Sequence, residues 1–185
     1  MHMRKVAIVG KAGTSAFTPF RDDSWEIWGM PWIVMPRVSR QFDLHSQDCW
    51  DAGPGRDPSN DEWIGRNAEK FPDVPVYCEP TRMHRYKVAV EYPLAAVMAS
   101  LPIAFLENSV AYMLALAIHE RADRIGLYGV HMMGSGEYAF ERPSITYLVG
   151  LAQGRGIEVE IPPGSPLFVS DFNAGRYGQA GGRRF

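Results

Sequence analysis

Asn108-Ser-Val-Ala-Tyr-Met-Leu-Ala-Leu-Ala-Ile118 is the stretch that decides the fold. Good helix formers dominate it, Asn108 or Ser109 can cap its start, and apolar residues lie nearly all round. A helix with no polar face must be buried, and a sheet is the natural surface to bury it. Toward the C-terminus, Asp123-Arg124 turns into Ile125-Gly-Leu-Tyr-Gly-Val130, which reads as a strand. A loop with Gly134 and Gly136 leads to Pro143, which suits the first turn of a helix over 144–153. Gly154 and Gly156 close that helix, and Ile157-Glu-Val-Glu-Ile161 is a last strand before Pro162-Pro163. With an earlier strand near Ile103 to Leu106, the rhythm is that of βαβ units. Such units give a mostly parallel sheet with right-handed crossovers.

Toward the N-terminus, Lys5-Val-Ala-Ile-Val9 is a buried strand ended by Gly10 and followed by a polar turn, Lys11 to Ser15. Ser24 to Met30 reads as a second strand, stopped by Pro31, and Gln41 to His45 as a third. Residues 46–60 carry the composition of a loop. Asn60 or Asp61 can cap a short helix to about Lys70, ended by Pro72. Val74 to Cys78 is a strand that Pro75 pushes toward an edge. Residues 79–87 are irregular and basic, and Pro93 opens a small helix from Leu94 to Ser100. The expected architecture is one Rossmann-like α/β domain over 1–171, a mostly parallel sheet flanked by helices. A Gly/Arg-rich tail over 172–185 follows.

Composition narrows the function. Of 185 residues, 46% are hydrophobic and 22% charged, with a formal charge of −2, so a dedicated nucleic-acid binder is disfavoured. Cys49 and Cys78 form no CxxC or metal-ligand spacing, and two thiols in a reducing compartment are the simpler reading. The longest apolar run, Val110 to Ile118, is too short to span a bilayer, and Met1 to Arg4 lacks a signal-peptide layout. The expectation is a cytoplasmic protein with no membrane partner, no metal and an unknown cofactor. Homo-oligomer formation is left open.

Three segments can carry chemistry. Gly10-Lys-Ala-Gly-Thr-Ser15 follows the first strand, where open α/β sheets bind ligands. Glycines at Gly10 and Gly13 let backbone amides approach an anion, and Lys11, Thr14 and Ser15 add charge and donors. Neither GxGxxG nor the P-loop pattern is present, and a tight structural turn needs the same glycines. Asn108 and Ser109 stand at a helix N-terminus, which suits a phosphate as well as simple capping. The loop His131 to Arg142 gathers an imidazole, Glu137, Tyr138, Glu141 and a guanidinium near a strand end, or else forms a polar surface with Arg142 paired to Glu137 or Glu141. His45 ends the third strand and can face the same crevice, although a lone histidine is more often structural. The basic run of Arg82, His84, Arg85 and Lys87 reads as a phosphate clamp or a solvated face. The five tryptophans, Trp25, Trp28, Trp32, Trp50 and Trp63, suit core packing before base stacking.

Val6-Ala-Ile-Val-Gly10, Trp25-Glu-Ile-Trp-Gly29, Phe42-Asp-Leu-His45, Ser109 to Ile118, Ile125 to Val130 and Glu137-Tyr-Ala-Phe-Glu-Arg-Pro143 together resemble a group of uncharacterised bacteriophage proteins. More remotely, the Gly10 turn, the 109–118 helix and the strand end at Gly129 are similar to bacterial sialyltransferases of the CMP-sialic-acid type and to pterin-pyrophosphokinase-like domains. That resemblance implies a nucleotide held between the first turn and the later helix, by Gly10, Gly13, Thr14, Ser15, Asn108, Ser109 and Gly129. Two departures stand out. His131 occupies a place where those relatives tend to have an aspartate, and no histidine follows His131 to serve as their late base.

The resulting expectation is a nucleotide or nucleotide-sugar binding protein, with a small glycosyl- or phosphoryl-type transferase as its enzymatic form. His131 or Glu137 would be general base, Arg142 would stabilise charge, and Tyr138 would contact ligand. The alternative is a non-catalytic phage or host interaction module on an α/β scaffold. A metal hydrolase is disfavoured for want of ligand spacing.

Overall fold

The computed structural model describes residues 3–45, 64, 66, 69–103, 105–133 and 136–168, with Glu137 described by its backbone alone. Seven strands form one sheet: β1 (Lys5–Val9), β2 (Trp25–Gly29), β3 (Arg40–Asp43), β4 (Val76–Cys78), β5 (Ala89–Glu91), β6 (Arg124–Tyr128) and β7 (Glu158–Glu160). Their spatial order is β5-β4-β3-β2-β1-β6-β7, and every pairing is parallel. Ala7, midway along the interior strand β1, is registered with Ile27 on one side and Gly126 on the other. Three α-helices are described: α1 (Leu94–Ser100), α2 (Ser109–His119) and α3 (Gly136–Gly154). The expected Rossmann-like α/β sheet is what the chain forms.

Strand order dictates the layers. From β1 to β5 each step moves the same way across the sheet, whereas β5 to β6 and β6 to β7 move the opposite way. Right-handed crossovers therefore send the two sets of connections to opposite faces. The packing agrees. Val6, Ile8, Trp28, Phe42, Ile125 and Leu127 meet α1, α2 and α3 in one apolar cluster. Ala7, Val9, Trp25, Ile27 and Tyr128 point the other way, as strand alternation requires, and meet Trp32, Ile33, Met35, Val38 and Ile64. Eight consecutive-turn residues of α2, from Val110 to Ile118 with Tyr112 excepted, are buried, as its unbroken apolar surface demands.

Several local expectations need correcting. No strand forms near Ile103 among the described residues, and Ile103 is exposed; the strand preceding α2 is β5, just past the irregular basic stretch 79–87, where the sequence reading assigned no element. β4 is interior, not an edge, because Pro75 stands just outside the paired residues and contributes only its carbonyl, to Gln41 N–H at 2.9 Å. The Lys11–Ser15 turn contains a 3-10 helix, Gly13–Phe17. α3 begins at Gly136 and runs through Pro143. Hydroxyls of Ser144 and Thr146 donate to the carbonyls of Glu141 and Pro143 around that proline, at 2.7 and 3.0 Å, steadying the turn it disturbs. Ile64, Arg66, Glu69 and Lys70 are helical, as expected. The rest of the 46–60 loop and 60–70 helix, Cys49, Trp50, Trp63 and the 172–185 tail lie outside the described residues.

Candidate functional site

β1 and β6 are neighbours whose chains leave in opposite directions, so a crevice opens beyond their carboxyl ends. Two glycines bring those ends together. Gly10 N–H donates to the Tyr128 carbonyl at 2.7 Å, and Ala12 N–H to the Gly129 carbonyl at 3.0 Å. Gly129 has φ +69°, and a Cβ there would lie 2.5 Å from the Gly10 oxygen and 2.9 Å from that of Ala12. A Cβ on Gly10 would collide with the Gly129 carbonyl in turn. Both positions exclude a side chain.

A cavity of about 800 Å³ fills this crevice. Its floor is Gly10, Lys11, Ala12 and Gly129. The amino end of α2 supplies Glu107, Asn108, Ser109, Val110 and, one turn in, Tyr112. The opening turn and the later helix start thus share one cavity. Asn108 Oδ1 caps α2 by accepting the Ala111 N–H at 2.9 Å, while its Nδ2 is buried with no partner among the described residues. The segment after β6 adds Val130, His131, Met132 and Met133, and α3 adds Tyr138 and Glu141. Met132 is held at φ 52°, a conformation uncommon outside glycine and concentrated at functional loops. Met30, Trp32, Leu44 and His45, which follow β2 and β3, close the opposite wall.

Not every expected residue lines the cavity. Thr14 is buried behind it, accepting the Gly129 N–H at 3.0 Å and contacting His131 Nε2 at 2.9 Å. That contact occupies Nε2 whichever partner carries the proton, and leaves Nδ1 as the other nitrogen of His131. Gly13 and Ser15 are away from the lining, and Ser15 N–H closes the turn onto Ala12. Arg142 is also outside it: Nε donates to the Leu167 carbonyl at 2.7 Å and Nη2 to the Pro166 carbonyl at 2.8 Å, strapping that segment to α3. The side chain of Glu137 lies outside the described residues. Among the described residues no group of three His, Cys, Asp or Glu side chains could hold a metal, and no helix could cross a membrane.

Comparison of the coordinates with solved structures finds several that match. The fold is shared with a sialyltransferase. The sialyltransferase CstII from Campylobacter jejuni in complex with CMP-3FNeuAc superposes with a TM-score of 0.54 at 12% identity, covering 89% of this chain and 83% of that one. Its complex with cytidine-5'-monophosphate gives 0.55 at 12%, covering 91% and 84%. Its complex with a trisaccharide acceptor and CMP gives 0.53 at 11%, covering 89% and 84%. No protein-family model matches the chain, and no curated protein matches it in sequence. At this identity the likeness to CstII establishes the fold.

Sequence reading missed the apolar wall and a polar cluster behind it. Met30 and Leu44 each sit one residue past a strand, which is the available signal: in a parallel sheet those positions face the crevice. Arg82, read as part of a clamp or a solvated face, is fully buried against Asp43, while Lys87 of the same run pairs with Asp73 at the surface. Cys78 lies nearby, and burial, with Asp43 adding to it, pushes its thiol up to about 11, so it is not a thiolate nucleophile.

Proposed function

We propose that this protein binds a nucleotide sugar, of the cytidine monophosphate type, in the crevice between β1 and β6, and transfers its glycosyl group. The observation that carries the reading is the meeting of the Gly10 turn and the amino end of α2 on one cavity. A helix start offers free N–H groups and about half a positive charge to a phosphate. Lys11 adds a full charge, and the unpartnered Asn108 Nδ2 adds a donor. Trp32, Leu44 and Tyr112 supply apolar and aromatic walls for a base or sugar. His131, whose Nε2 is engaged by Thr14, and Tyr138 of α3 add polar groups to the lining for the sugar. The volume is within the range that holds ligands of this size. The CMP and CMP-sugar complexes of CstII, which has the same fold, support the choice of nucleotide.

The test is thermal denaturation with CMP, a CMP-sugar, and uridine and guanosine counterparts. A ligand at 100 times its Kd stabilises by about 2.7 kcal/mol. For a chain of this length that raises Tm by roughly 5–10 °C. A rise with the cytidine ligands alone is expected. No rise with any of them at millimolar concentration refutes the reading.

A further inference from the structure

The strongest unassigned feature is a buried carboxylate behind the cavity wall. Asp43 ends β3 and is wholly inaccessible to solvent, as is Arg82 from the 3-10 turn Pro80–Arg85. Arg82 does not grip the carboxylate in the usual two-oxygen fork. Its Nε and Nη2 both donate to Oδ2, at 2.9 and 2.7 Å, and the Tyr86 hydroxyl donates to the same oxygen at 2.6 Å. Oδ1 is buried and has no hydrogen-bond partner among the described residues. His45 Nδ1 stands 3.8 Å from it. His45 lines the cavity, its ring stands 5.3 Å from that of Trp32, and its side chain is 45% exposed. The spacing of two residues puts Asp43 and His45 on one side of the extended chain.

We propose that His45 is the proton acceptor of this cavity and that Asp43, locked by Arg82 and Tyr86, is its positioning residue. Three donors on Oδ2 fix the carboxylate plane and leave Oδ1 directed at the imidazole. A buried acceptor without a partner is costly, and the Nδ1–H of His45 is the group placed to relieve it. A proton held on Nδ1 leaves Nε2 as the basic nitrogen. The assignment rests on the crevice being the nucleotide-sugar site. There, a hydroxyl of the second substrate gives its proton to Nε2, and its oxygen forms the new bond to the sugar carbon. The nucleotide phosphate leaves that carbon with the old bonding pair. The other ionisable side chains lining the cavity among the described residues are Lys11, Glu107, His131, Glu141, Tyr112 and Tyr138. His131 is the competing imidazole, and the group its ring meets is the Thr14 hydroxyl at 2.9 Å, where the ring of His45 has a carboxylate.

Long-range proton–nitrogen correlation of the full chain labelled at histidine nitrogen tests the arrangement without any ligand, with His45→Gln identifying the signal. The neutral His45 ring is expected to carry its proton on Nδ1, the reverse of the form a free side chain favours, and to lose that bias in Asp43→Asn. A proton on Nε2 in the wild type overturns the proposal. So does an unchanged tautomer in an Asp43→Asn chain that keeps its fold; if that variant does not fold, the wild-type tautomer decides alone. Release of CMP from a CMP-sugar supplies the second readout. His45→Gln is expected to lower kcat by about 10²–10⁴-fold with KM little changed, since that is what loss of a general base removes. Unaltered kcat overturns the proposal. A wild-type chain that releases no CMP counts against the nucleotide-sugar reading instead, and the tautomer still decides the pair.

Discussion

Replacing Gly129 by alanine tests the corner on which the cavity is built. The backbone there has φ +69°, a conformation that costs an ordinary residue about 1–2 kcal/mol. The new methyl would also lie 2.5 Å from the Gly10 oxygen and 2.9 Å from the Ala12 oxygen, both backbone atoms. Neither can swing aside, because Gly10 and Ala12 are tied to β6 through their own N–H groups. Overpacking of this kind costs about 1–3 kcal/mol. The sum is about 2–5 kcal/mol, which for a chain of this length lowers Tm by roughly 4–20 °C. Gly13→Ala is the control: no atom lies within 4 Å of a Cβ there, and the change should stay within about 0.5 kcal/mol. Denaturant titration with both variants measures the difference. A Gly129→Ala chain within 1 kcal/mol of wild type by this estimate, or equal losses at both glycines, would show that the strand ends do not abut as described.

Asn108→Asp keeps the oxygen that caps α2 and replaces the unpartnered Nδ2 by a second anionic oxygen. Stability should hold within about 0.5 kcal/mol, while CMP affinity measured by calorimetry should fall at least about tenfold, equivalent to about 1.4 kcal/mol. Equal affinity would remove Asn108 from the ligand site. Tyr86→Phe deletes one donor to Asp43 and should cost about 1.5–3 kcal/mol near neutral pH, the range for a bond to a charged group. Burial alone would raise the Asp43 carboxyl, but the polar contacts of His45, Tyr86 and Arg82 outweigh it and hold the carboxyl below its ordinary value. A depressed folded value means the stabilisation is complete above the unfolded value of about 3.9 and is lost as pH falls below it. The gap between wild type and Tyr86→Phe should therefore be constant from pH 7 to about 5 and close on further acidification, as urea titrations at each pH will show.

What was legible in the sequence was legible for physical reasons. The 109–119 helix has no polar face, so it could only lie against a sheet, and that settled the layer order around it. β1, β2 and β6 are apolar on both faces and end in glycine or at a glycine, so their limits were clear within a residue or two. β5 was not legible because Ala89, Val90 and Glu91 are too few to show a period and follow a basic stretch. α3 was cut short because Pro143 normally marks a first turn, whereas here a helix already under way carries it. For the site, the two glycine corners and the capping pair announced themselves through their need for special backbone. Asp43, Arg82 and Tyr86 did not, since each alone is an ordinary polar residue and only the fold of the β4–β5 connection makes them meet.

The position of that cluster follows from the same reversal of strand order that opens the cavity. Connections between β1 and β5 pass over the face opposite α2, so the 3-10 turn carrying Arg82 and the following Tyr86 arrive beneath β3. Gln41 and Asp43 alternate onto that face, while Phe42 faces the helices. The carboxylate is therefore held through Oδ2 by a guanidinium and a phenol, and its Oδ1 lies 3.8 Å from His45 Nδ1, just past the strand's carboxyl end. That end is where His45 meets the crevice. A buried ion pair serving stability alone would satisfy both of its oxygens, because an unsatisfied one weakens the fold. Here the vacancy is at the one oxygen that faces the cavity wall, which is why the pair is read as support for an imidazole and not as a rivet of the core.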